Sequence, residues 1–171
     1  FLERLAGYPV TGMSYPFGAV DEASVTALRA CGITYSRTVN STELFHVPED
    51  FLRWDPTCHH FKATWRSEYF LQILKTPNRQ PLFYIWGHSH EFRTEEDWQQ
   101  IEGIVSCLAG NERIWYATNM EIYEYVTAYA ALIYSVDNAT VYNPTLKTLW
   151  FDRDGTLYKI APGETLTGVK N

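Results

Sequence analysis

Residues 82–86 (Leu-Phe-Tyr-Ile-Trp) are apolar or aromatic without a break, and Gly87, His88, Ser89, His90 and Glu91 follow directly. Such a run reads as a strand covered on both faces, as in a parallel sheet. The titratable residues then fall at the strand's C-terminal end, where α/β proteins place their ligands and chemistry. A surface loop that happens to hold two histidines would show the same spacing.

The same kind of pattern recurs upstream. Residues 10–15 read as a strand closed by Pro16, Phe17 and Gly18. Asp21 is the expected N-cap of a helix with Val25, Leu28, Ala30 and Cys31 on its apolar side, and Gly32 is its C′ residue. Residues 33–39 read as a second strand. A long loop is expected over 40–62, holding Pro48, Pro56 and the triplet Cys58-His59-His60; long loops in compact domains tend to be functional. Residues 65–74 form a helical pattern with Tyr69, Phe70, Ile73 and Leu74 on one face. Beyond the 82–86 strand, Thr94-Glu-Glu-Asp97 resembles a capping box, followed at helical spacing by Trp98, Ile101, Ile104, Val105 and Leu108, with Gly110 ending the helix. Residues 114–117 read as a short strand. Thr118-Asn-Met-Glu121 is a capping box that opens a helix carrying Ile122, Tyr125, Val126 and Tyr129.

Residues 10–130 thus alternate strand and helix, the mark of an α/β domain with a parallel sheet or barrel. From 131 the pattern changes to short strand-like runs at 132–136, 140–142, 148–151, 157–160 and 165–166. Turn signals separate them at Asp137-Asn138, Asn143-Pro144 and Asp154-Gly155. The expected division is residues 1–130 as the α/β part and 131–171 as a small antiparallel appendage. Phe1 to Leu5 has no initiating Met and no N-cap, and looks like the end of a helix. The chain is therefore expected to be the C-terminal piece of a longer protein, with localisation open.

Composition narrows the function classes. The chain has 171 residues, 46% hydrophobic, with a net charge of −6. No cluster of Lys and Arg appears, which disfavours nucleic acid and anionic membrane as partners. No run of roughly 18 apolar residues is present to span a bilayer. Aromatic residues reach 16%, including 12 Tyr and 6 Trp; they build a thick core or a surface that stacks on sugars. Cys31, Cys58 and Cys107 are too few and too scattered for a disulfide framework or a zinc knuckle. Cys31 and Cys107 read as small core residues.

A family resemblance rests on three stretches: Gly12-Met-Ser-Tyr-Pro-Phe-Gly18, Cys31-Gly-Ile-Thr-Tyr-Ser-Arg37 and Phe83-Tyr-Ile-Trp-Gly-His88. Together they resemble the C-terminal half of the NodB-type polysaccharide deacetylases, over roughly residues 1–130. The resemblance implies an irregular (β/α) barrel and a hydrolase that removes N-acetyl or O-acetyl groups from a carbohydrate substrate. It also implies a divalent metal, zinc first, in the complete protein. The chain departs from the family pattern in several places. Ser14 stands where the family has the Arg that orients its catalytic Asp, and Arg37 is the candidate to replace it in space. Arg37-Thr-Val-Asn40 lacks the family's Trp and Asp. Trp86-Gly-His88 keeps the His of the last motif, with Trp in place of Leu. The family's first two motifs supply the base and the metal ligands, and they have no counterpart here. No metal ligand is assigned in this chain from the resemblance, and the chain alone is expected to be inactive.

On that resemblance His88 is the general acid for the leaving amine. Tyr15, Pro16 and Phe17 line the substrate groove, with the backbone after Tyr15 donating to the oxyanion. Trp86 walls the acyl pocket or is simply a core Trp. His90 and Glu91 orient His88 or form a metal site. His59 and His60 cover the site, cap a helix or face solvent. The alternative from another class is a non-catalytic carbohydrate-binding or scaffolding domain. Uncovered sheet edges make self-association a further expectation.

Overall fold

A computed structural model describes residues 1–76 and 80–169. Contacts divide the chain into two compact units, Phe1–Tyr116 and Ala117–Asn171. Helices and strands are mixed, as an α/β reading requires, but the parallel ladders are short and no barrel closes among the described residues.

In the first unit the short helix α1 (Leu2–Ala6) precedes β1 (Gly12–Ser14). β1 pairs in parallel with β2 (Tyr35–Arg37), in the register Gly12↔Tyr35 to Ser14↔Arg37. Helix α2 (Glu22–Ala30) joins them, and its ends follow from local chemistry. The Asp21 carboxylate accepts the Ser24 N–H at 2.7 Å. Gly32 turns left-handed at φ 78. The Ile33 and Gly32 amides then bond back to the carbonyls of Leu28 and Arg29, the pairing of a Schellman stop.

The stretch expected as a long loop carries much of the interior. Trp54 bridges Arg37 in parallel: it receives the Thr38 N–H at 3.0 Å and donates its own to Ser36. Pro56, which has no N–H to donate, marks a change of partner. Thr57 then donates to the Tyr84 carbonyl at 2.8 Å, and β3 (Cys58–His59) pairs in parallel with β4 (Ile85–Trp86). Leu52, Trp54, Pro56 and Cys58 are buried. Four parallel stretches therefore follow one another in chain order, the third of them broken at Pro56.

Residues 82–86 are half-buried rather than covered on both faces, and only Ile85 and Trp86 enter a ladder. Leu82 instead donates to the Phe45 carbonyl. Phe83 packs on Phe45 and Phe70, each with ring centroids 5.2 Å away; helix α3 (Thr64–Ile73) supplies Phe70. Helix α4 (Glu95–Leu108) starts at a reciprocal Thr94–Asp97 capping box. It buries Ile104 beside Cys58 and Ala63, with Ile101 and Leu108 packed around them, but Trp98 and Val105 are exposed. Cys31 and Cys107 are exposed too. Residues 114–117 form no strand; the Tyr116 hydroxyl donates to the Leu108 carbonyl at 2.6 Å, satisfying an orphan acceptor at the end of α4.

The second unit begins before helix α5 (Asn119–Ala130), so this helix groups with the strands that follow it. Its cap is reciprocal between Thr118 and Glu121. Strands β5 (Ile133–Tyr134), β6 (Thr140–Tyr142) and β9 (Thr165–Thr167) form an antiparallel sheet in the order β5-β6-β9. β7 (Leu149–Arg153) and β8 (Thr156–Ile160) form a hairpin. Its two turn residues, Asp154 and Gly155, take φ 50 and φ 80, the left-handed pair that an Asp-Gly hairpin turn requires. Leu149 and Phe151 point inward and join Ala128, Leu132, Val141, Ile160 and Val169 in one core. Asn143 is fully buried: its Nδ2 donates to the Lys147 and Ala161 carbonyls at 2.8 and 3.0 Å, and its Oδ1 accepts the Thr145 N–H and hydroxyl. No helix among the described residues is long and apolar enough to cross a membrane.

Candidate functional site

Because β1, β2, β3 and β4 belong to parallel ladders, the residues that follow them emerge at C-terminal strand ends. An open cavity of about 420 Å³ lies there, lined among others by Arg37, His60, Trp86, Gly87, His88 and Phe92.

Arg37 closes β2. Its guanidinium lies over the Trp86 ring, 4.6 Å from the centroid, a cation–π contact that fixes the indole as a wall. Its Nη1 also donates to the Thr38 carbonyl at 2.7 Å. Among the described residues Arg37 forms no ion pair with a carboxylate, so it is placed to hold Trp86 rather than an acid. The Thr38 hydroxyl instead bonds Asp55. The Trp86 Nε1–H is buried and has no acceptor among the described residues.

Glu91 gathers the histidines. It closes a 3₁₀ turn, Ser89–Glu91, in which the Glu91 N–H donates to the His88 carbonyl at 3.1 Å. The Glu91 Oε2 accepts the His88 backbone N–H at 2.8 Å. The same oxygen lies 2.9 Å from His60 Nε2 and 3.1 Å from His59 Nε2, while Oε1 lies 3.5 Å from His88 Nδ1. Burial works against ionisation of this carboxyl. The His88 N–H and the rings of His60, His59 and His88 outweigh it and hold the carboxyl down at about 2. Burial also lowers His59, against the pull of Glu91.

Arg37, Trp86 and His88 share the cavity. Glu91 stands behind it, and His90 is exposed with its ring 5.1 Å from that of His88. Tyr15 is buried, its hydroxyl donating to the Leu52 carbonyl at 2.8 Å; it packs the interior rather than lining a groove. Pro16 is exposed, and Phe17 is fully exposed with a left-handed φ of 56. A non-glycine residue held there is strained, and strain of this kind collects at functional positions.

Sequence reasoning did not connect His59 and His60 to Glu91. His60 is buried, not a loop surface residue. His59 does accept the Phe61 N–H on its Nδ1, at 3.5 Å, the local capping contact considered for it. The available signal was the position of the histidine pair, directly after a buried Pro-Thr-Cys stretch that behaves as a strand. No protein-family model, curated protein or solved structure matches this chain.

Proposed function

We propose that this chain is the C-terminal portion of a polysaccharide-deacetylase-like hydrolase of NodB type, cleaving acyl-amide or ester groups of a carbohydrate. The observation that carries the reading is His88. It is an exposed imidazole at the end of β4, on a cavity walled by the Trp86 ring that Arg37 braces. An imidazole so placed is suited to hand a proton to a departing amine. The Glu91 carboxylate, its Oε1 3.5 Å from His88 Nδ1, helps to aim the ring. Parallel stretches in chain order, with polar residues at their C-terminal ends, also suit part of an irregular (β/α) barrel. The residues that this family uses to hold its metal have no counterpart in the chain.

A second reading, a non-catalytic carbohydrate-binding domain, is favoured by Phe17, an aromatic ring held fully in solvent on strained backbone. Such a ring offers a face on which a sugar can stack. One experiment separates the two: acetate release from N-acetylated chito-oligosaccharides by the full natural polypeptide that contains this chain, with and without His88→Ala. The hydrolase reading expects kcat to fall by roughly 10²–10⁴-fold with KM little changed. Unchanged turnover would remove His88 from catalysis. Sugar binding without any turnover would select the second reading.

A further inference from the structure

We propose that His59, His60 and Glu91 form a binding site for one divalent transition-metal ion of the zinc class, at the C-terminal end of β3. The three ligand atoms, two imidazole nitrogens and one carboxylate oxygen, lie within 4.8 Å of one another. The two nitrogen–oxygen separations are 2.9 and 3.1 Å. Ligand bonds of about 2.0–2.1 Å at tetrahedral angles put neighbouring ligand atoms about 3.3 Å apart. The two nitrogen–oxygen separations are thus within a few tenths of an ångström of that spacing, and the two nitrogens lie within 4.8 Å of each other. Two imidazoles and a carboxylate suit zinc and its neighbours, whereas magnesium and calcium favour all-oxygen sites.

The surroundings hold the ligands in place. The His88 N–H fixes Glu91 Oε2 from behind, the kind of supporting hydrogen bond that metal ligands use. His60 is buried and rests against Gly87. It also lines the cavity, so a fourth coordination position opens towards water or a bound molecule, as in sites that react. One contact is given up on loading. A metal on His59 Nε2 puts the ring proton on Nδ1, which then no longer accepts from Phe61. At 3.5 Å that contact is long for a hydrogen bond, and little is lost with it. His88, His90 and Glu91 make a second grouping, but both of its histidines are exposed and less restrained. The metal site requires no substrate and does not rest on the hydrolase reading.

The test uses the untagged full chain, stripped with a chelator and titrated with Zn²⁺ by calorimetry and with Co²⁺ by visible absorption. The expected result is one equivalent of Zn²⁺, a raised thermal midpoint, and Co²⁺ bands of a four- or five-coordinate site. His59→Gln and Glu91→Gln should each weaken binding beyond the roughly 10–100-fold that a supporting residue contributes. Circular dichroism shows that each variant is folded, and two independent variants protect the test if one is not. His90→Ala should leave the affinity unchanged, and His88→Ala, which removes one 3.5 Å contact to Glu91 but keeps the backbone N–H, should weaken it far less than loss of a ligand. Absence of saturable binding overturns the proposal. So does binding that survives His59→Gln and is lost in His88→Ala or His90→Ala.

Discussion

Gly87 lies so close to the His60 ring that a Cβ at position 87 would come within 1.9 Å of His60 Cδ2. The glycine between Trp86 and His88 is therefore a packing requirement of the histidine behind it. Gly87→Ala should push His60 away from Glu91 and cost about 1–3 kcal/mol, the usual range for overpacking. Denaturant unfolding measures the loss. An unchanged midpoint would mean that the ring moves aside freely.

The three cysteines should separate cleanly by reactivity. Cys58 is fully buried, and burial pushes its thiol up to about 11. Cys31 and Cys107 are exposed. A thiolate is the reactive form, so a disulfide reagent at neutral pH should label two thiols in the native chain and the third only after unfolding. Rapid labelling of Cys58 in the folded state would contradict its placement under α4.

Asn143 replaces missing backbone partners in the turn after β6. Asn143→Ala removes a buried amide and strips the part-buried Lys147 and Ala161 carbonyls of a donor. Leaving such groups unsatisfied should cost about 1–3 kcal/mol. The loss is read from thermal or denaturant unfolding; Asn143→Ser, which keeps a polar group, should restore only part of it.

The Thr118–Glu121 cap gives a pH dependence of definite sign. The Thr118 backbone N–H and hydroxyl, both bonded to the carboxylate, hold Glu121 below the ordinary carboxylate range. A lowered folded-state value means that the stabilisation is present above the free carboxyl's pKa and is lost as pH falls through the folded one. Glu121→Gln should therefore be less stable than the parent at neutral pH, with the gap closing as the solution is acidified below about 4.5. A gap that stays constant with pH would remove the charge from the cap.

Local chemistry made much of the secondary structure legible. Asp21, Thr94 and Thr118 cap helices as their spacing predicts, Gly32 stops α2, and Asp154-Gly155 turns the β7–β8 hairpin. Each of these is settled by backbone groups within a few residues, so neighbours in sequence carry all the needed information. The antiparallel runs after residue 131 were legible for the same reason, through alternating positions such as Leu149 and Phe151.

Tertiary structure decided what pattern could not. Within 40–62 the apolar positions Leu52, Trp54, Pro56 and Cys58 do alternate, but Pro48 and Pro56 break the run, and the burial of Trp54 and Cys58 comes from partners on β2, β4 and α4. Regular spacing likewise did not reveal that Cys31, Trp98, Val105 and Cys107 face solvent, because an apolar helical position is buried only where another element covers it. The sharpest case is the cluster itself. His60 and Glu91 are 31 residues apart and meet because β3 and β4 pair in the register that sets His59 beside Trp86. Composition supplied the imidazoles and the carboxylate; only the pairing of two short parallel strands brought them onto one oxygen atom.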